Sequence, residues 1–167
     1  MALQAYIAVK GTKQGQFKGE STRATRKDKW MQVLAFQMGL HLPLDAATGQ
    51  ASGKRQYKPV TITKEWGAAS PQGLAACASN ESLSDVAVEF LKTKQDGQEY
   101  VYQTVTLTDA LLVAVERFTR QQDGTLLLPP GPAETLELES WSFTFGKIEV
   151  VDIDGHTSFV DDWIVTV

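Results

Sequence analysis

The side chains able to do chemistry are few and scattered. Histidine occurs at positions 41 and 156 alone, each beside an expected strand end. Neither has a Cys or a second His at metal-ligand spacing. Asp152-Ile-Asp154-Gly155-His156 matches the opening of a calcium loop. It then fails, because Thr157 takes the place of the loop glycine and Trp163 that of the bidentate glutamate. Serines and aspartates could supply a triad by number, yet there is no Gly-x-Ser-x-Gly elbow. The single cysteine, Cys77, has no His signature near it. It rules out an internal disulfide, points to folding in a reducing compartment, and reads as a buried, inert thiol on a small-residue helix. The glycines at 11, 15 and 19 lack the spacing and trailing Lys-Ser/Thr of a phosphate-binding loop. The expectation is no catalytic residue, no metal, no cofactor, and a chain that is not an enzyme.

The elements that must carry whatever function remains are organised around Gly53–Ser79. Val60, Ile62 and Lys64 alternate with Thr61, Thr63 and Glu65, a period-two pattern that predicts a strand. Pro59 is placed at its start, where a missing N–H costs a sheet least. Gly67 breaks the run, Ser70 stands as N-cap, and Pro71 takes the first helical position. Leu74, Ala75, Ala76 and Ala78 continue as good helix formers.

In chain order, Leu3, Ala5, Ile7 and Val9 share one face of a first strand, with Gln4, Tyr6 and Lys10 on the other. Residues 11–29 form a polar loop. Trp30 to Leu40 is apolar on both sides, which predicts one strand covered on both faces. Pro43 to Lys58 is an unusually long connection, and connections of that length usually have a task. Val86, Val88 and Phe90 mark another strand, and Gln95-Asp96-Gly97-Gln98 turns it into Tyr100–Thr108, a strong hairpin signal. Residues 109–120 suit helix or strand, and Val113 and Val115 favour strand. A connection with Pro129-Pro130-Gly131-Pro132 covers 124–133, Leu136–Val151 is the longest strand candidate, and Phe159–Val167 closes the chain. There is no repeat and no linker, so residues 1–167 are read as one mainly β domain with one short helix.

At 167 residues such a domain buries about 70% of the surface its unfolded chain exposes. No run approaches a membrane-spanning length, and no basic segment ahead of an apolar core marks a cleaved signal. The net charge of −4 is unevenly spread. Residues 1–64 hold eleven Lys/Arg against three acidic side chains, a net of +8, whereas residues 65–167 carry a net of −12. Such a split fits a nucleic-acid-binding half, copies that attract head to tail, or two solvated surfaces.

The order of local sequences resembles a known family. Lys18-Gly19-Glu20-Ser21, Trp30–Phe36, and the Ser52-Gly53-Lys54-Arg55-Gln56 loop with Lys58-Pro59 are similar to the haemolysin-coregulated protein (Hcp) family of type VI secretion. So are Val60–Lys64 followed by Ala69-Ser70-Pro71, Ala76-Cys77-Ala78, Tyr102–Thr108, Ser142–Ile148 and Trp163, and together they cover essentially the whole chain. Two features depart from the pattern: the 124–133 connection is long, and Met31-Gln32 stands where an Ile-Glu pair is common.

The resemblance implies a two-sheet β-barrel with one short flanking helix and a long protruding loop. Six copies would close a ring, and rings would stack into a tube expelled with spike and sheath proteins, carrying small effector proteins in the lumen. The protein would leave the cytoplasm without a cleaved signal and without membrane insertion, and no nucleic-acid partner is expected. By the same resemblance Lys54, Arg55, Tyr57 and Lys58 would contact a neighbouring subunit or ring, and Gln37 would face the lumen and touch cargo. Two alternatives stay open: a tail-tube protein of a phage or phage-like contractile particle, and a basic-loop β-barrel that binds nucleic acid.

Overall fold

A computed structural model of the chain describes residues 3–23, 26, 28–121 and 135–163. These residues form β1 (Ala5–Gly11), β2 (Gly15–Gln16), β3 (Met31–Val33), β4 (Ala35–His41) and β5 (Gln56–Glu65), then α1 (Ser70–Ser79). Five strands follow: β6 (Ser82–Thr93), β7 (Glu99–Gln121), β8 (Thr135–Thr144), β9 (Lys147–Asp152) and β10 (Thr157–Asp162). Every pairing is antiparallel, in the order β2-β1-β6-β7-β8-β5-β4, with β3 on β1 and the β9–β10 hairpin on β7.

The long strand β7 makes this one chain into two sheets. Its residues 99–111 pair with β6, residues 103–108 also with β9, and residues 111–121 with β8. Just past the end of the β9 pairing Asp109 takes a left-handed φ of 52°. Aspartate is among the few side chains that tolerate that region. Residues 109–120 are therefore strand, as the β-branched pattern favoured. The Asp96-Gly97 hairpin also forms, with Gly97 at φ 84° and Lys94 N–H donating to the Gln98 carbonyl.

The stretch from Trp30 to Leu40 is two strands of opposite phase, not one covered on both faces. Met31 and Val33 point into the core from β3, which pairs with β1. Leu34 carries the chain across to β5, its N–H donating to Thr63 O at 2.8 Å. Beyond it Phe36 and Met38 lean inward from β4. Leu34 and Leu40 are left exposed. The two ends of the ladder are thus joined through the backbone at Leu34, while the sheet itself is not closed.

Four other boundaries differ from expectation. β5 starts at Gln56, and Pro59 lies inside it, where the register against β4 shifts between Gln37 and Gly39. A bulge of this kind spares proline the ladder bond it cannot make. The helix N-cap is Ala69, without a side-chain cap, and Ser70 is buried one residue further in. The expected 136–151 strand is broken at Phe145-Gly146, where Gly146 N–H turns back to the carbonyls of Thr108 and Asp109. The polar 11–29 loop contributes β2 and a fully buried Phe17. The 124–133 connection, Val165 and Val167 lie outside the described residues.

The core is one cluster between the two sheets with the helix laid over it. Trp141 is fully buried at its centre, edge-on to Phe17 and Phe143. A Cβ on Gly73 would stand 2.4 Å from the Trp141 ring, so α1 reaches its packing distance only with glycine there. Cys77 is half-buried on the helix and packs against the core.

Candidate functional site

The projecting part of the molecule is the connection between β4 and β5. It folds back on itself through a single Leu44–Ala51 bridge, with Gly49 and Gly53 at φ 72° and 89°. From Leu42 to Lys54 its residues are exposed except for the half-buried Pro43. Leu42 and Leu44 are apolar and stand in solvent. Isolated exposed leucines are ordinary, but two on one protruding hairpin form a surface that a partner could cover.

The four residues expected on this loop do not converge. Lys54 is exposed. Lys58 is exposed too, its aliphatic stem lying over Gly39 of β4. Arg55 and Tyr57 instead turn onto their own barrel. Arg55 gives Nε and Nη2 to the two oxygens of Asp161, at 2.5 and 2.7 Å, and Nη2 also reaches Asp162 O at 3.0 Å. Tyr57 is buried, donates its hydroxyl to Asp161 Oδ2 at 2.5 Å, and packs against Phe145 and Trp163. Hydrogen bonds from Arg55 and then Tyr57 hold the Asp161 carboxyl below its ordinary range. Burial, reinforced by Asp161, pushes the Tyr57 hydroxyl up to about 12. Gln37 lies apart, exposed on β4 opposite Thr61.

A second polar group sits under the helix. Lys64, fully buried on the inward phase of β5, gives its ammonium to Glu139 Oε1 at 2.8 Å and to the Glu65 carbonyl at 2.7 Å. Glu20 Oε2 lies 3.0 Å away from the same nitrogen. Ser70 donates its hydroxyl to Glu139 at 2.9 Å, and Arg117 pairs with the other Glu139 oxygen at 3.4 Å. Glu20 also accepts the Ala69 N–H at the start of α1. Four segments far apart in sequence, around Glu20, Lys64–Ser70, Arg117 and Glu139, thus meet at one buried ion pair. Beside it, Glu20, Gln32, Leu34, Glu65 and Trp66 line an open cleft of about 400 Å³. Sequence reasoning missed this group, although both Lys64 and Glu139 fall in phase with buried neighbours on their strands.

Part of the charge split of the sequence is met within the molecule, by four of the eleven first-half cations. Arg23 pairs with Glu99, Arg26 with Glu89, Arg55 with Asp161 and Lys64 with Glu139, each a first-half cation on a second-half carboxylate. Arg26 also lies over the Tyr6 and Trp30 rings. Among the described residues no group of three or more His, Cys, Asp or Glu is placed to hold a metal, and His41 and His156 lie on different hairpins. Among them, no helix is long and apolar enough to cross a membrane.

The described residues thus form an open antiparallel barrel with one small helix and a projecting hairpin. A crystal structure of an Hcp protein matches it with a TM-score of 0.85 at 24% identity, covering 99% of this chain and 100% of that one. The secreted protein Hcp3 from Pseudomonas aeruginosa matches with a TM-score of 0.73 at 28% identity, over 98% of this chain and all of that one. In sequence, the Major exported protein of Pseudomonas aeruginosa (strain PAO1) is 35% identical over 98% of this chain and 96% of its own length. The family model described as "Type VI secretion system effector, Hcp" spans residues 6–151. The chain belongs to the Hcp family, the structural, exported tube proteins of type VI secretion.

Proposed function

We propose that the chain is a ring-forming subunit of the secretion tube: six copies close a ring, rings stack, and the tube is expelled with spike and sheath proteins while small effector proteins occupy its lumen. On this reading the chain catalyses nothing. The observation that carries it is the 42–55 hairpin, exposed along its length yet anchored at its foot by Arg55 and Tyr57. An element that protrudes and is already directed can bury area on a neighbour at little ordering cost. Lys54 and Lys58 are the foot's outward-facing cations, Arg55 and Tyr57 support the contact from below, and Gln37 on β4 faces the lumen and its cargo. The nucleic-acid reading is the weaker one, because four of the eleven first-half cations, Arg23, Arg26, Arg55 and Lys64, are engaged by carboxylates.

Light scattering on the purified chain, coupled to size exclusion, tests this. The expected particle has six chain masses at high protein concentration. A monomer under the same conditions overturns the proposal.

A further inference from the structure

The hairpin between β4 and β5 does not orient itself. Its backbone hydrogen bonds close internally, from Asp45 to Gln50, Gly49 to Asp45 and Ser52 to Pro43. Its direction must be set where it joins the barrel. There one carboxylate takes three donors: Nε and Nη2 of Arg55 and the hydroxyl of Tyr57, all on Asp161. These contacts link residues more than 100 positions apart in the chain. β10, which carries Asp161, has β9 as its ladder partner, so side chains and not a ladder tie it to the foot of the hairpin. Phe145 and Trp163 close on the Tyr57 ring at centroid distances of 5.0 and 5.2 Å, which fixes where the Tyr57 hydroxyl can point.

The Arg55–Asp161 pair is partly open to water, with side chains 38% and 17% exposed. Pairs in such places add little to stability because solvent and salt screen them. What the arrangement supplies is direction: a planar guanidinium fork on one carboxylate accepts few geometries, and the tyrosine removes more. We infer that Asp161 is a positioning residue for assembly, fixing from β10 the angle at which hairpin 42–55 leaves the barrel so that it meets a second copy of this chain already directed. The inference rests on the proposed reading that the hairpin contacts a neighbouring copy.

Asp161→Asn keeps the side-chain shape and removes the charge. Hydrogen exchange on residues 44–53 and the length of stacked particles by electron microscopy are read on the full chain. The expected result is roughly tenfold faster exchange in the hairpin, shorter stacks and intact single rings. Arg55→Gln breaks the pair from the hairpin side, and the same pattern is expected should Asp161→Asn disturb β10 itself. Unchanged hairpin exchange in both single variants overturns the inference, as does faster exchange with normal stacking. A chain shortened by residues 46–50 separates the two ideas. Normal stacking there removes the hairpin as a contact, whereas lost stacking beside an indifferent Asp161→Asn removes only the positioning role.

Discussion

Lys64 with Glu139 and Arg55 with Asp161 join cations at the two ends of one stretch of chain to carboxylates on β8 and β10. The first pair is sealed beneath α1, with side chains 1% and 0% exposed, and the second stands at the foot of the hairpin in partial contact with water. Burial makes them different devices. A sealed pair has lost its hydration, so it persists only because further groups complete it, here Glu20, Ser70, Arg117 and the Glu65 carbonyl. It ties the helix and the 18–21 segment to the barrel. The open pair contributes little energy and can therefore be changed without unfolding the chain. What it controls is an angle.

Breaking the sealed pair is expected to have the largest effect. Lys64→Met strands Glu139 without its nearest cation and should cost about 3–5 kcal/mol, measured by denaturant unfolding. Lys64→Met with Glu139→Leu is expected to recover much of that loss, since an apolar pair needs no compensation. A double variant as unstable as the single one would show that the network has no such internal compensation. Next comes the packing above the network. Gly73→Ala gains about 1 kcal/mol of helix propensity, but its methyl meets the Trp141 ring. The expected net loss is about 1–3 kcal/mol, and a stabilised variant would contradict the packing described here. Arg55→Gln, at the open pair, is expected to cost the least of these, and less still in high salt.

Titration sharpens the same contrast. The folded Asp161 carboxyl titrates below its unfolded value, so its contribution is intact above the ordinary carboxylate range and is lost as pH falls through the lowered value. Hairpin protection, taken relative to the intrinsic exchange rate at each pH, should therefore be unchanged from pH 7 to pH 5 and should fall only in acid below the ordinary carboxylate range. Tyr57 has the opposite sign. Its hydroxyl is raised to about 12, so its contribution is complete below the unfolded tyrosine value and disappears as pH climbs through 12. Tyrosinate absorbance should show one residue ionising last, and that late step should vanish in Tyr57→Phe.

How much of this was readable from the chain depended on range. The strand over Val60–Lys64, the helix after Pro71 and the Asp96-Gly97 turn follow from local patterning, and all three form. The break at Leu34 was hidden because both strands around it are apolar on alternating positions. Nothing local reveals which phase faces the core once the partner strand changes from β1 to β5. Residues 109–120 suited helix or strand by local pattern, and it is pairing with β6 and β8 on either side of the left-handed Asp109 that makes them strand. Tyr57 looked like a contact residue and is buried, since the rings that cover it come from Phe145 and Trp163, far along the sequence. Lys64 and Glu139 gave the one signal that went unread: opposite charges in phase with buried neighbours on two strands foretell a buried pair.

Electron microscopy of the purified chain tests the central claim most directly. Annular particles with sixfold symmetry, an open centre and the 42–55 hairpins directed out of the ring toward the next copy are the predicted images. Compact particles of one chain, without a central opening at any concentration, would contradict it.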